Sequence, residues 1–555
     1  MIIEIKSPKK GTIGKINVSV GDKVTAGQEL LSLETKKGNA VVKSQHDGAV
    51  ESIEVEEGAE VKALDILLKI AGSQETAVQK TEEKVKSEEK IECDLTIIGG
   101  GPGGYVAAIK GAKLGAKVVL IEEGALGGTC LNYGCIPTKA LVRSAEVFDS
   151  FKEAAEYGLS AKDFRVDMEK VIDRKNAIVS KLVGGVEDLL EKNNIRVISG
   201  RGKLINKDTV QAETEDKIIE VNSKDIIIAT GSEPSCPPIP GANSKSVVTS
   251  KEILDLKELP EKFAIVGGGV IGMEIAFIFA SFGVEVFVIE FLDDVLQTLD
   301  EDVIEEIKTA AEQKGIKIYT GSEVEEVIDT LNEKSMVRFT KDGRPEYLSV
   351  DKILMCTGRR PYLEGLGIEA VGIELNENKR GIKVNEKMQT NIDNIYAIGD
   401  VTDIMQLAHV ASHQGIVAVE NIMGHNAEMD YSAVPSAIFT HPEIATVGLT
   451  EKEAQSKGLN IEVGKFPYAA NGKALTVGDD RGFIKIIKDQ DTEKIVGAHI
   501  IGINAADLIS SLTIAVKNGL TTKQITETIF AHPTTAEVIH EGVLSVEGGA
   551  LHFAE

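Results

Sequence analysis

One pattern occurs twice in this chain and narrows what it can fold into. Asp94-Leu-Thr-Ile-Ile leads to Gly99, Gly101 and Gly104, then to a helical run and Lys117-Val-Val-Leu-Ile-Glu122. Phe263-Ala-Ile-Val leads in the same way to Gly267, Gly269 and Gly272, then to Glu285-Val-Phe-Val-Ile-Glu290. In both copies the acid stands 23 residues after the first glycine. Each copy reads as strand, glycine turn, helix and second strand ending in a carboxylate. Glycines let the backbone approach a pyrophosphate, the helix N-terminus offers unpaired N–H groups, and the acid can bond a ribose hydroxyl. Two such units predict α/β domains for two different nucleotides, with electrons passing between them. Phe291, Leu292, Asp293 and Asp294 follow Glu290 with no arginine for a 2′-phosphate, so the second site reads as NAD rather than NADP.

A second constraint is the stretch from Gly127 to Lys139, Gly-Gly-Thr-Cys-Leu-Asn-Tyr-Gly-Cys-Ile-Pro-Thr-Lys, just past the first fingerprint. Cys130 and Cys135 stand five positions apart. On a regular helix that spacing is a rise of about 7.5 Å, beyond the usual disulfide Cα separation of roughly 4.4–6.8 Å. A bridge here needs an irregular turn, which Gly134 makes cheap, and a strained, accessible disulfide suits a redox pair. Two unrelated buried cysteines are the plainer alternative.

The 555 residues imply several domains, and 42% hydrophobic with 27% charged residues is a soluble globular composition. A formal charge of -26 argues against nucleic acid or an anionic membrane as partner. The five cysteines are too scattered for a metal-ligand set or a disulfide scaffold, which fits a reducing, cytoplasmic setting. Cys93, Cys236 and Cys356 read as structural. The N-terminal Met-Ile-Ile-Glu-Ile-Lys lacks the build of a secretion signal. The apolar run from Phe263 to Ile289 contains Glu274, Glu285 and a glycine cluster, and reads as strand–turn–helix–strand rather than a membrane span.

Residues 1–70 hold an internal repeat. Gly11, Gly21, Val24 and Leu30-Leu31 recur as Gly48, Gly58, Val61 and Leu67-Leu68 at an offset of 37 residues. Alternating apolar and polar positions between glycine turns predict a small pseudo-symmetric β-sandwich. A polar turn, Leu33-Glu-Thr-Lys-Lys-Gly38, lies between the copies. Residues 71–91 are rich in Gly, Ser, Gln, Thr, Glu and Lys, and read as a charged, extended tether whose first twenty residues reach up to about 65 Å.

Further on, Ile395-Tyr-Ala-Ile-Gly399-Asp400 reads as a short strand with a turn. Residues 431–555 alternate strands and amphipathic helices around Phe530-Ala-His532-Pro-Thr-Thr-Ala-Glu537, where His532 and Glu537 form a candidate base and orienting carboxylate.

Together these stretches resemble the disulfide-reductase flavoproteins, and among them the dihydrolipoamide dehydrogenases, from Asp94 onward. Residues 1–70 separately resemble a lipoyl domain. The resemblance implies FAD at the first fingerprint, with Asp400 on the flavin ribityl chain. Further cofactor contacts are expected at Gly202, Gly358 and Ala408. Cys130 looks like the thiol that exchanges with a dithiol substrate and Cys135 like the one facing the flavin, with Lys139 nearby and paired to Glu274. The family's C-terminal His-x-His-Pro-Thr-x-Ser-Glu is kept at His532, Pro533, Thr534 and Glu537, while Phe530 and Ala536 depart from it. A homodimer follows from the resemblance, His532 acting across the interface. The lipoyl family's Glu-Thr-Asp-Lys-Ala places a covalent lipoyl group on Lys37; Lys36 and Gly38 depart from that motif, leaving Lys36 a rival.

The architecture so implied is α/β, with an all-β lipoyl sandwich at 1–70 and a charged linker at 71–91. A Rossmann-like FAD domain follows at 92–240 and a Rossmann-like NAD domain at 241–360. Residues 361–430 complete the FAD site, and an α+β dimerisation domain covers 431–555. The expected partner is a lipoyl-bearing acyltransferase of a 2-oxo acid or acetoin dehydrogenase complex, or a glycine-cleavage carrier. A related NAD(P)H-dependent disulfide reductase, or a lipoyl carrier with incidental reductase activity, is the alternative. The former should carry arginines after the second acid or, for mercuric ion, a C-terminal cysteine pair, and neither is in the sequence.

Overall fold

The computed structural model describes residues 2–7, 10–25, 28–35, 38–44, 48–62, 65–72, 87–330 and 334–554. The chain forms two compact units, Met1–Lys86 and Ser87–Glu555.

In the first unit the repeat becomes two four-stranded sheets, each borrowing a short strand from the other copy. Gly11–Ile16 pairs with Glu29–Thr35 on one side and Glu60–Val61 on the other; Gly48–Ile53 likewise lies between Ile66–Gly72 and Lys23–Val24. The leucine pairs Leu30-Leu31 and Leu67-Leu68 are fully buried in the shared core with Ile13 and Val50. Glu29–Thr35 and Gly38–Lys43 are antiparallel, with Thr35 opposite Gly38. Lys36 and Lys37, where a lipoyl group was expected, lie between these strands and outside the described residues.

Both ends of the expected tether are strand. Ala71 and Gly72 still belong to strand Ile66–Gly72, and the next strand, Ser87–Ile98, already begins inside the expected linker. Ser87 pairs with Lys217, and the parallel ladder with Lys217–Ile228 runs on to Ile98. Glu89 is gripped by Arg196 and Lys217, and Lys90 meets Glu220 at 2.8 Å. A ladder needs only a neighbour's backbone and compatible charges, not apolar side chains, so polarity misjudged this segment.

In the second unit, Ser87–Ile98 lies between Val118–Glu122 and Lys217–Ile228, and the latter also takes Ile395–Ala397 as a parallel neighbour. A second parallel sheet runs Val247–Val248, Lys352–Met355, Lys262–Val266, Glu285–Ile289 and Lys317–Tyr319. Buried on both faces, its central strands read as unbroken apolar runs. Helix Val270–Ser281 is almost wholly buried against it, so the apolar run in the sequence is core. Among the described residues no helix is long and apolar enough to cross a membrane. The C-terminal part is a five-stranded antiparallel sheet, Ser436–Ile438 to Ile461–Pro467, packed by helices Ala505–Lys517 and Glu537–Leu544.

The second sheet is tied to the C-terminal one by a buried charge cluster. Lys485 is 2% exposed and meets Asp300 at 3.0 Å, Asp302 at 3.0 Å and also Glu451. Burial disfavours its charge, yet the bonds to Glu451 and Asp300 and the charge of Asp302 outweigh this and raise its pKa. Removing one partner from such a group leaves uncompensated buried charge. Lys485→Met should therefore cost about 3–5 kcal/mol, read as a lower midpoint in calorimetric melting; a midpoint unchanged within error would show that the cluster does not hold these layers together.

Candidate active site

Both glycine turns have the shape a dinucleotide requires. Gly99 takes φ +107°, and a Cβ on Gly104 would lie 1.8 Å from the Gly99 carbonyl oxygen; on Gly272 it would lie 2.0 Å from that of Gly267. Only glycine lets each helix start so close to its own turn. A Cβ on Gly269 would meet nothing within 4 Å, and one on Gly101 only Gly128 Cα at 3.9 Å, so these positions face open space. Helices Pro102–Lys113 and Val270–Ser281 begin without a side-chain cap, leaving N–H groups for an anion. These cradles fit a pyrophosphate.

The two acids are already engaged. Glu122 accepts N–H bonds from Gly100 at 2.5 Å and Gly124 at 2.6 Å; Glu290 accepts from Gly268 at 2.5 Å and Leu292 at 2.8 Å. Each carboxylate thus braces its loop, and its remaining lone pairs are what a ribose hydroxyl would use.

Asp400 lies in the turn Gly399–Thr402 and accepts the Ser232 hydroxyl at 2.5 Å. The Gly399 N–H is held by fully buried Gln414 at 2.6 Å. Ala408 opens helix Ala408–Ile422, whose Ser412 donates to the Pro102 carbonyl at 3.2 Å, so this helix packs beside the first fingerprint helix. Gly202 is a packing position, where a Cβ would meet Ile98 at 2.8 Å. Gly358, at φ +103°, faces open space and accepts the Ser235 N–H at 2.9 Å.

The cysteines meet because the helix carrying them is broken. Cys130 lies in helix Gly128–Tyr133 and Cys135 begins helix Cys135–Lys152; Gly134 between them has φ −146° and ψ −110°. Asn132 bonds the carbonyls of Leu126 at 3.0 Å and Gly128 at 2.9 Å, bracing the turn. Both cysteines are half-buried free thiols, close enough to set each other's acidity. The interaction with Cys130 lowers Cys135 to about 7 against its burial, and the charge of Lys139 adds to the lowering. The same interaction, with burial, raises Cys130. By contrast, burial pushes Cys356 up to about 12. Lys139 donates to both oxygens of buried Glu274 at 3.0 Å; Glu274 also accepts the Phe439 N–H at 2.9 Å, and Lys139 sits 4.3 Å from the centre of the Phe439 ring.

His532 Nδ1 lies 2.9 Å from Glu537, whose other oxygen accepts the Thr534 N–H at 3.0 Å. Burial opposes the Glu537 charge, but the Thr534 N–H and the His532 ring hold its carboxyl below the usual range. The imidazole is 78% exposed, its far nitrogen free to meet a ligand.

Sequence reading missed Ser232, Gln414 and Arg359. It also missed a second imidazole–carboxylate pair, His552 to Glu541 at 2.7 Å. Glu541 stands four residues beyond Glu537, one helical turn on. The first of these had a signal: Ile226-Ile-Ile-Ala-Thr-Gly231-Ser232 is a strand running into glycine and a polar residue, like Ile395 to Asp400.

Residues 93–415 match the pyridine nucleotide-disulphide oxidoreductase family, 434–543 its dimerisation domain, and 1–70 the biotin/lipoyl family described as biotin-requiring enzyme. The chain belongs to the pyridine nucleotide-disulphide oxidoreductases, FAD- and NAD-using enzymes. Within that class it is 44% identical to a dihydrolipoyl dehydrogenase of Bacillus subtilis, covering 83% of this chain and 99% of the relative. It is also 44% identical to the dihydrolipoyl dehydrogenase of Chlamydia muridarum, covering 83% and 98%. Its fold matches LpdA of Mycobacterium tuberculosis with a TM-score of 0.76 at 26% identity, over 81% of this chain and 99% of that one. The flavoprotein disulfide reductase RclA of Escherichia coli matches with a TM-score of 0.73 at 31% identity, over 82% and 100%.

The opposed charges beside Cys135 make a signed test. Lys139→Met should move its acidity from about 7 toward the free-cysteine range of about 8.5, and Glu274→Gln should move it down. Alkylation of Cys135 in the reduced protein, followed by peptide mass against pH, reads both; shifts of the same sign would refute this account.

Proposed function

We propose that this chain is a dihydrolipoyl dehydrogenase, oxidising protein-bound dihydrolipoyl groups to lipoyl groups and reducing NAD+ to NADH. The observation that carries the reading is the pair of cysteines brought together where the helix breaks at Gly134, beside the Lys139–Glu274 ion pair; Cys135 is the more acidic of the two. A disulfide breaks most easily toward the sulfur that is more stable as thiolate, so this asymmetry gives the exchange a direction.

In the oxidised enzyme Cys130 and Cys135 are joined. His532, held by Glu537 and supplied across the dimer, takes the proton of one substrate thiol, because the thiolate is the nucleophile. That thiolate bonds to the Cys130 sulfur, the Cys130–Cys135 bond breaks, and Cys135 leaves as thiolate. The second substrate sulfur then attacks the first and closes the lipoyl disulfide, while Cys130 leaves and keeps that sulfur's proton. The substrate has lost two electrons and two protons, the protons resting on Cys130 and His532. FAD, when bound, would supply the two-electron chemistry that links a sulfur donor to nicotinamide, which accepts only hydride. Gly99, Gly101, Gly104, Glu122, Asp400 and Ala408 would hold FAD, and Gly267, Gly269, Gly272 and Glu290 would hold NAD. Lys139, paired with Glu274, would lie near the flavin ring and tempers the charge beside Cys135.

The enzyme works as a homodimer in the cytoplasm, with its own lipoyl group on Lys37. It serves a lipoyl-bearing acyltransferase of a 2-oxo acid or acetoin dehydrogenase complex, or a glycine-cleavage carrier. The biotin/lipoyl match over 1–70 and the dimerisation match over 434–543 support these readings.

Cys135→Ser should abolish NADH formation from dihydrolipoamide, and His532→Gln should lower kcat/KM by about 10²–10⁴-fold with flavin content unchanged. Full activity in either variant would refute the assignment. Lipoate supply should add one lipoyl mass to the intact protein and none to Lys37→Arg; an adduct kept by that variant would point to Lys36.

A further inference from the structure

The chain crosses between the two parallel sheets at one narrow place. Strand Ser232–Pro234 leaves the first sheet and lies antiparallel to Arg359–Pro361, which returns from the second. Side chains stitch the crossing: Thr230 donates to the Tyr362 carbonyl at 2.8 Å and Thr357 to the Ser235 carbonyl at 2.8 Å. Within it, Arg359 turns both arms of its fork onto one residue. Nε donates to the Ser232 hydroxyl at 2.8 Å and Nη2 to the Ser232 carbonyl at 2.6 Å. The same hydroxyl donates to Asp400 at 2.5 Å. The fork thus dictates where the Ser232 proton points, and that proton fixes Asp400.

The charge balance is unusual. Among the described residues no carboxylate lies within ion-pair distance of the Arg359 guanidinium, although the side chain is half-buried. Nearby Glu233 is taken by Arg360 at 2.8 Å. Asp400 reaches Arg359 through the serine hydroxyl, and its charge also favours the charged guanidinium. The arginine is thus held by two hydrogen bonds to one serine in place of a direct ion pair.

We propose that Arg359 is a positioning residue of the redox centre: through Ser232 it aims the Asp400 carboxylate at the place of the flavin side chain. Burial pulls the guanidinium below its ordinary pKa, while the charges of Asp400 and Glu233 pull the other way. The inference rests on the reading of this site as a flavin–dithiol centre.

The relay is tested by substitution in the full-length protein. Arg359→Lys keeps the charge and loses the fork, Ser232→Ala cuts the relay and leaves the arginine, and Arg359→Met removes fork and charge. Two measurements read them: FAD affinity of the apoprotein by flavin fluorescence, and the melting midpoint of the same apoprotein. One lost charge-assisted hydrogen bond is worth about a factor of ten, so all three variants should bind FAD about tenfold more weakly while melting as the unsubstituted apoprotein does. If Arg359→Met fails to fold, the Arg359→Lys and Ser232→Ala pair still tests the relay. Wild-type affinity in Ser232→Ala and Arg359→Lys, or a loss of affinity that only follows a lowered midpoint, overturns the proposal. Absence of flavin binding in the unsubstituted protein overturns it together with the functional reading.

Discussion

Two cysteines can meet in this protein because the helix that would carry them apart is interrupted at Gly134. A regular helix adds about 1.5 Å per residue along its axis, which over five residues takes two side chains out of reach. The break starts a fresh helix at Cys135, so that sulfur also sits at the positive end of a dipole. Their mutual interaction then divides the pair, raising one thiol and lowering the other. A single backbone irregularity thus supplies both the contact and its asymmetry.

The surrounding fold serves to keep that asymmetry in place. Glu274 comes from the helix after the second glycine turn, Lys139 from the helix of the cysteines, and Phe439 from the entrance to the C-terminal sheet. Three parts of the second unit therefore converge on one ion pair. Because Glu274 is buried, Lys139 is held to one geometry and its charge is largely cancelled at short range. Bidentate pairing makes the lysine a brace more than a free cation. The cluster around Lys485 does a similar task farther away, locking the second sheet against the C-terminal one.

Much of this was legible in residue order. The glycine spacings, the terminal acids and the offset repeat are local patterns, each enforced by a turn that admits no side chain or by strand alternation. The proximity of His532 and Glu537 was legible for the same reason, since a short proline turn leaves them few ways to part. Arg359 and Ser232 were not legible, being 127 residues apart and in contact only where the chain crosses between sheets. The start of strand Ser87–Ile98 was hidden by its polarity. Its partner there is Lys217-Ile-Ile-Glu220, whose Ile219 is buried, while Ser87-Glu-Glu-Lys90 has no apolar residue to mark it as a strand.

Sequence alone determined which backbone shapes this chain can take at its glycines, how many nucleotide cradles it builds, and which five-residue spacings carry sulfur and imidazole. Those are short-range matters, settled by sterics within a few bonds. Tertiary structure decided the charges: which lysine is neutralised, which arginine is left without a partner, and which of two like thiols becomes the acidic one. Such outcomes depend on burial and on distances between segments far apart in the chain, and Coulomb energy in a low-dielectric interior is set by those distances.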